Sequence, residues 1–330
     1  MRDTENNVLL NHFNCEEELK KIDKGIKGAL RALRKRGVVV AISGGIDSSV
    51  TAAICARVIG PSKVFGLLLP ENDSSLSSES LGKILAEHIG IEYITHDIGP
   101  SLEAIGCYQW RDDAIRKIFP EYTTEWKSKI AIVSSDNSIS SQFKLIVQSP
   151  DGVTQEKKMG LKEYLQIVAA TSYKQRTRKM VEYFHADRLN YAATGTPNRL
   201  EYDQGFFVKN GDGAADLKPI AHLYKTQVYA MAEYLQLPEN ICSTIPTTDT
   251  YSLAQGQDEF YFSLPYQKMD IALWHVNNGK STAELASALS IEEHQVKMII
   301  DDIHNKRRTT APLHWPPILM EPVTGPISKN

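Results

Sequence analysis

The chain has 330 residues, enough for one large domain, and its 42% hydrophobic and 23% charged residues are ordinary for a soluble globular protein. A net charge of -3 gives no electrostatic reason to expect a nucleic acid or an anionic membrane as a partner. The four cysteines are far apart and form no C-x-x-C pair, which argues against a zinc site or a disulfide framework and predicts a cytoplasmic location. Neither a signal peptide nor an apolar run long enough to span a membrane is apparent.

Helices alternate with short apolar strands in the first half of the chain. Residues 37–42 are a continuous apolar, β-branched run, which is typical of a strand buried on both faces of a sheet. The same reasoning predicts strands over residues 37–42, 64–69, 92–95 and 191–194, and helices over residues 16–36, 48–58, 78–89 and 161–186. This alternation indicates right-handed crossovers and an α/β fold in which helices flank a parallel sheet.

One segment, residues 121–160, interrupts this pattern. A helix is predicted over residues 110–124, a polar loop over 134–141, and a β-hairpin with strands at 143–148 and 153–158 joined by a Pro-Asp-Gly turn. We interpret residues 121–160 as an insertion, acting as a lid or an interface element, within a single domain that spans residues 1–330.

The C-terminal part is predicted to be helical. Apolar residues recur at helical spacing over residues 281–304, and the net negative charge with Asp301 and Asp302 favours helical packing over a DNA-reading helix-turn-helix. The proline-rich residues 309–330 are predicted to form an extended tail.

A glycine-rich loop joins the first buried strand to the next helix and reads Ser43-Gly44-Gly45-Ile46-Asp47-Ser48-Ser49. Its two glycines let the backbone approach a ligand closely, and their amides can join those of the helix N-terminus in cradling phosphate oxygens, with serine hydroxyls as further donors. A carboxylate beside bound phosphates requires a divalent cation between them, so Asp47 is predicted to bind Mg²⁺. The G-x-x-x-x-G-K-[ST] loop that handles the γ phosphate is absent. The alternative interpretation is an ordinary glycine turn with a capping serine.

The S-G-G-x-D-S pattern resembles the loop of the N-type ATP pyrophosphatases, which cleave ATP between its α and β phosphates. Further motifs, in the same order along the chain, resemble those of one of its members, the NAD synthetase family. These motifs are Pro70 with Ser74, Ser75 and Ser78; Gly195-Thr196 with Glu201; Gly205 to Asp216; Leu223 to Val228; Ile245-Pro246-Thr247; Gln257-Asp258-Glu259; Pro265-Tyr266 with Asp270; and Asn305-Lys306-Arg307-Arg308. The resemblance covers about residues 16–312 outside the insertion. It implies the Rossmann-like adenine-nucleotide α-hydrolase fold and a tight homodimer with the acceptor site at the subunit interface.

The resemblance also implies a reaction, the conversion of deamido-NAD to NAD. Because oxide is a poor leaving group, the carboxylate first attacks the α phosphate of ATP to form an acyl-adenylate and pyrophosphate, and ammonia then displaces AMP. Negative charge builds up in both steps, so Mg²⁺ and protein cations should supply most of the stabilisation. Too few residues precede the loop for the glutaminase domain of the glutamine-dependent members, so ammonia, free or from a separate glutaminase, is the expected nitrogen donor.

The residues that match family site positions fall into four groups. Metal binding is expected of Asp47 and Glu201, and ATP binding of Ser43, Gly44, Gly45, Asp47, Ser48, Ser75, Ser78, Arg178 and Thr196. Catalytic roles are expected of Lys225, Thr247 and Lys306, with Lys306 in a mobile loop that closes over the site, and acceptor binding of Arg176, Tyr183, Lys209, Asp212 and Asp216. Arg176 and Arg178 are two residues apart and point about 200° apart on a helix, so one can face a ligand while the other packs elsewhere.

Departures from the family pattern cluster on the acceptor side. They are Ser172 for asparagine, Gln175 for alanine, Lys179 for methionine, Val208 for threonine and Asn210 for tyrosine. A related synthetase that amidates another carboxylic acid is therefore the main alternative. A tRNA-modifying pyrophosphatase would have a basic surface or sulfur-handling cysteines, and a non-catalytic nucleotide-binding regulator would not need Asp47, Glu201 and Lys225 together.

Overall fold

The computed structural model describes residues 8–11, 13–133, 142–243, 251–253, 256, 261–262 and 264–323. The first part contains α1 (Cys15–Leu33), β1 (Val38–Ala41), α2 (Ile46–Ile59), β2 (Val64–Leu68), α3 (Leu76–His88), β3 (Glu92–Thr95), α4 (Gly99–Ala104) and α5 (Cys107–Arg116). The middle part contains β4 (Lys127–Val133), β5 (Gln142–Gln148), β6 (Thr154–Lys158), α6 (Leu161–Leu189), β7 (Ala192–Thr194) and α7 (Arg199–Gln204). The last part contains α8 (Lys225–Tyr234), α9 (Glu239–Cys242), α10 (Tyr266–Asn277), α11 (Thr282–Leu289) and α12 (Glu293–His314).

A four-stranded sheet in the order β3-β2-β1-β7, with every pairing parallel, forms the centre of the fold. Val38 and Val40 of β1 pack on one face of the sheet, against apolar residues of α1, α2 and α8. Val39 packs on the other face, in a cluster that includes residues of α4, α5 and α6. Helices therefore cover both faces, which confirms the predicted α/β fold with a parallel sheet.

Two predicted helices end several residues earlier in the structure than predicted. The helix predicted to reach residue 36 ends at Leu33, because Arg34 adopts a left-handed conformation with φ of 55°. The helix predicted over residues 110–124 begins earlier, after the left-handed Gly106, and ends at Arg116. Pro120 disfavours a helical conformation at the residue before it, which accounts for the early end.

A separate three-stranded antiparallel sheet has the order β4-β5-β6. The predicted hairpin is confirmed as β5 and β6, and Gly152 in its turn has φ of 88°. Strand β4 was not predicted. Its buried residue Ile130 packs with Leu145 and Val147 of β5, over residues of α5 and α6. The loop predicted over residues 134–141 lies outside the described residues, and the assignment of residues 121–160 as an insertion stays a prediction.

The C-terminal helices pack around a cluster that includes Leu273, Leu285, Val296 and Ile303, which confirms the predicted helical packing. The prediction of an extended tail from residue 309 is wrong for residues 309–314, which continue α12. Pro312 lies in the last turn of this helix, where it lacks the N–H that would bond to the Arg308 carbonyl, and the helix ends two residues later. Within the described part of the chain, none of the helices combines the length and apolar character that a bilayer crossing requires.

Candidate active site

A cavity of about 1460 Å³ opens where the parallel strands end. Residues at the carboxyl ends of β1, β2 and β7 line it, including Ile42, Leu69 and Thr194. Strands β2 and β3 lie on one side of β1, and β7 lies on the other side. The cavity therefore lies where the strand order reverses, which is the usual position of ligands in open α/β sheets.

The glycine-rich loop forms the floor of this cavity between β1 and α2. Gly44 has φ of 78°, and a side chain there would collide with the carbonyl oxygen of Ser78, so only glycine fits. The Ser48 hydroxyl donates to the Gly45 carbonyl at 3.0 Å and accepts from the Ser43 amide at 3.2 Å. Ser48 is buried, so its hydroxyl holds the shape of the loop.

Asp47, in the first turn of α2, has a partner for each of its carboxylate oxygens. One oxygen forms an ion pair with the ammonium of Lys225, and the other accepts a hydrogen bond of 3.0 Å from the Asn198 side-chain amide. Lys225 is only 2% exposed. Burial lowers the pKa of Lys225, but the Asp47 and Glu201 carboxylates outweigh it and raise that pKa above its ordinary value, so the residue is a cation at neutral pH.

Asn198 is a site residue that the sequence prediction missed. Its side chain accepts from the Glu201 amide at 3.1 Å, while the Glu201 carboxylate accepts from the Asn198 amide at 3.1 Å, which is a capping box at the start of α7. One asparagine thus fixes both Asp47 and Glu201. The N-x-x-E spacing within the Gly195-to-Glu201 motif was the available signal.

Asp47 and Glu201 both line the cavity and fit a divalent cation that is shared with a nucleotide. Across the described residues, no group of three or more His, Cys, Asp and Glu side chains is placed to hold a metal by itself. Mg²⁺ usually takes one or two carboxylates together with substrate phosphates, so this donor set suits a cation that arrives with ATP.

The loop between β2 and α3 ends at Ser75, and Ser78 follows in the first turn of α3; both serines are predicted to bind ATP. The Ser75 side chain caps α3 by accepting from the Ser78 amide at 3.1 Å. Arg178 of α6 donates to the Leu69 carbonyl at 3.2 Å and to the Ser74 hydroxyl at 3.4 Å, so it holds this loop. Ser75, Ser78 and Arg178 all line the cavity, as does Thr196.

Behind this loop lies a buried charge network that the sequence did not predict. The Lys174 ammonium is 3.1 Å from a carboxylate oxygen of Glu71 and also pairs with Asp73. The Tyr108 hydroxyl donates to Glu71 at 2.8 Å, and Arg111 pairs with Asp73. The network ties the loop after β2 to α5 and α6.

The predicted acceptor residues divide into two sets. Arg176, Lys209 and Asp212 line the cavity. Tyr183 and Asp216 are not among the lining residues; they lie 3.4 Å apart, hydroxyl to carboxylate. Arg176 lines the same cavity as Arg178 and also donates to the Lys209 carbonyl at 3.3 Å.

Lys306 lines the cavity from α12, so the prediction that it lies in a loop is wrong. Its ammonium donates to the Tyr261 carbonyl and pairs with Asp302, at 2.6 Å each. Helix α12 continues through the basic residues 306–308 because Val296 and Ile303 bury one face of the helix. Thr247 lies outside the described residues.

The antiparallel sheet also contributes to the cavity, which the sequence did not reveal. Lys127 of β4 and Phe143 of β5 line it, and the Phe143 ring stacks on Tyr164 with centroids 3.8 Å apart. Ser252, in the segment 251–253 that also lines the cavity, accepts from the Ser128 amide at 2.9 Å. The cavity is therefore walled by both sheets.

The arrangement combines a glycine-rich loop at a helix N-terminus, two carboxylates suited to a shared cation, and several basic side chains in one cavity. With a parallel sheet whose order reverses at the cavity, these features define an α/β nucleotide-binding protein. The chain matches the family model described as NAD synthase over residues 18–121 and 123–310, and it belongs to that family.

Relatives of known name support this membership. The chain is 54% identical over 310 residues to the NH(3)-dependent NAD(+) synthetase of Rhizobium meliloti, covering 93% of this chain and 92% of the relative. It is 33% identical over 291 residues to the enzyme of the same name from Thermotoga maritima, covering 87% of this chain and 95% of that one.

Solved structures show the same fold. The NH3-dependent NAD synthetase of Campylobacter jejuni superposes with a TM-score of 0.61 at 21% identity, covering 94% of this chain and all (100%) of that one. The NMN synthetase of Francisella tularensis superposes with a TM-score of 0.60 at 23% identity, covering 89% of this chain and 96% of that one.

Proposed function

We propose that this chain makes NAD by ATP-dependent amidation of deamido-NAD, using ammonia and releasing AMP and pyrophosphate. The observation that carries the proposal is the Asp47–Lys225 pair beside the glycine-rich loop, in the same cavity as Arg176, Lys209 and Asp212. The relatives of more than half identity are NH(3)-dependent NAD(+) synthetases, and the chain covers them nearly end to end.

The first step uses the ATP half of the cavity. An oxygen of the acceptor carboxylate attacks the α phosphorus, the bond to the bridging oxygen breaks, and pyrophosphate leaves with the electron pair. Lys225 is held as a buried cation and stabilises the charge on the phosphates, with the glycine-loop amides as further donors. Asp47 and Glu201 would hold Mg²⁺, which would neutralise phosphate charge when bound.

The second step uses ammonia as the nucleophile. Ammonia attacks the acyl carbon, the carbon–oxygen bond to AMP breaks, and the nitrogen loses a proton. Lys306 lines the cavity, and its ammonium would stabilise the departing AMP once it exchanges its Asp302 partner for the leaving phosphate. Ammonia is free or is delivered by a separate glutaminase.

The functional unit we propose is a cytoplasmic homodimer. Along α6, the large apolar side chains of Leu161, Leu165, Met180 and Phe184 are exposed, with 70% of Met180 and 63% of Phe184 accessible. Leu161 and Leu165 are about one helical turn apart, as are Met180 and Phe184, and the four positions lie within an arc of about 140° around the helix. All four cysteines are free thiols, in keeping with a reducing compartment.

The test is turnover of the purified chain on a panel of acids with ATP, Mg²⁺ and ammonium, monitored by pyrophosphate release. The panel contains deamido-NAD, nicotinic acid mononucleotide and nicotinic acid. We expect deamido-NAD to give the highest kcat/KM, with AMP, pyrophosphate and NAD formed in equal amounts. Highest turnover on another acid would establish the related-synthetase alternative, and absence of AMP with every acid would overturn amidation altogether.

A further inference from the structure

A buried ion pair faces the cavity from the middle of α6. Lys179 and Glu182 are 5% and 4% exposed, and the ammonium lies 2.6 Å from a Glu182 carboxylate oxygen. Both residues line the cavity. Buried charges destabilise a fold unless they are compensated, so a buried pair at this position needs a structural or functional reason.

Asp212 is the third member of this charge cluster. Its carboxylate accepts a 2.9 Å hydrogen bond from the Val208 amide and so closes the loop 208–213 on itself. Burial raises the pKa of Asp212, while the Val208 amide and the Lys179 ammonium lower it. The loop next to Asp212 also packs against α6, since a Cβ at Gly211 would lie 3.0 Å from the Cβ of Gln175, about one turn before Lys179.

The loop 208–213 is tied down at several further points. Val208 accepts backbone hydrogen bonds from Gly211 at 2.9 Å and from Gly213 at 3.1 Å. Lys218 donates to the Gly213 carbonyl at 2.7 Å. Asp212 belongs to this loop, and its side-chain carboxylate closes the loop by accepting from the Val208 amide. The charge of Asp212 therefore affects the conformation of the whole loop.

We propose that Lys179 is a positioning residue for the acceptor substrate: its ammonium is the counter-charge that keeps Asp212 bonded to the Val208 amide and thereby fixes the loop 208–213. Glu182 holds the ammonium in place. The assignment of this loop to the acceptor rests on the proposed function above.

The test separates positioning from simple stability with three variants, Lys179→Met, Lys179→Arg and the double variant Lys179→Met with Glu182→Met. Lys162→Met, at an exposed lysine on the same helix, is the matched control. The readouts are the KM values for deamido-NAD and ATP, kcat and the melting temperature.

Lys179→Met should raise the KM for deamido-NAD about tenfold or more, with the KM for ATP within about twofold of wild type. It should also lower the melting temperature, because Glu182 is left buried without a partner. Lys179→Arg should retain most of the affinity. In the double variant the melting temperature should recover while the KM for deamido-NAD stays high. An unchanged KM in Lys179→Met, or a normal KM in the double variant, would overturn the proposal.

Hydrogen exchange tests the loop itself without turnover. The Val208 amide should exchange faster in Lys179→Met and in the double variant than in wild type or Lys162→Met. Equal exchange rates would overturn the positioning role even if the enzyme is active. If wild type fails to amidate deamido-NAD but the exchange rates differ as expected, the proposed function fails and the positioning of the loop stands.

Discussion

Asp47 and Lys225 show how single residues of this site depend on each other. Lys225 is buried yet charged because Asp47 and Glu201 face it, and Asp47 is oriented by Asn198. A nucleotide with its cation would enter a cluster of two carboxylates and one ammonium, in which one negative charge is left for the cation to neutralise. Removing one member therefore changes both the affinity for the cation and the charge left behind.

Asp47→Ala should lower kcat/KM at least about 10²-fold, since it removes a predicted Mg²⁺ ligand and leaves Lys225 buried beside one carboxylate. The measurement is AMP release with ATP, deamido-NAD and ammonium. Asp23→Ala, at an exposed residue of α1, is the control and should behave as wild type. More than a tenth of wild-type activity in Asp47→Ala would contradict the role of Asp47.

At the scale of elements, the carboxyl groups of Glu71, Asp73 and Asp270 connect parts of the chain that are distant in sequence. Glu71 and Asp73 fix the loop after β2 to α5 and α6 through Arg111 and Lys174. Asp270 of α10 accepts from the Thr226 amide at 2.7 Å and from its hydroxyl at 2.8 Å, so it caps α8, the helix that begins with Lys225. Both sets of contacts hold residues that line the cavity.

Lys174→Met should destabilise the fold by about 3–5 kcal/mol, because Glu71 and Asp73 remain buried without their ammonium. Denaturant unfolding measures the loss. Lys162→Met on the same helix should change stability by less than about 0.5 kcal/mol. A loss of similar size in both variants would show that the network does not stabilise the loop.

Asp270 predicts a pH dependence of stability. Burial raises its pKa to about 7, although the Thr226 amide and hydroxyl lower it. Because the folded pKa lies above the value of about 4 in an unfolded chain, its contribution to stability is complete below about pH 4 and is lost as pH rises through 7. The melting temperature of wild type relative to Asp270→Asn should therefore fall between pH 4 and pH 8. A difference independent of pH would contradict this.

Over the whole molecule, local sequence patterns predicted the parallel sheet, and long-range contacts account for what was missed. The apolar, β-branched run of β1 is typical of a buried strand, whereas β4 begins with Lys-Ser-Lys and is stabilised by pairing with β5. The glycine loop, Asp47 and Glu201 follow from motifs. The Lys174–Glu71 pair joins residues 103 apart, and no local pattern contains that contact.

The exposed apolar face of α6 predicts a homodimer. Light scattering should give twice the mass of the 36.9 kDa chain. Phe184→Glu should give the monomer, because a charge would be buried in the interface. Leu319→Glu, at a residue of the C-terminal segment that is 60% exposed, is the control and should leave the dimer intact. A monomeric wild type would contradict the prediction.

The central claim, that the acceptor carboxylate attacks the α phosphorus of ATP, is tested most directly by isotope transfer. Deamido-NAD labelled with ¹⁸O in its carboxylate is converted with unlabelled ATP and ammonium, and the products are analysed by mass spectrometry. Attack on the α phosphorus places one labelled oxygen in AMP and none in pyrophosphate. Labelled inorganic phosphate together with ADP, or AMP without label, would contradict the account.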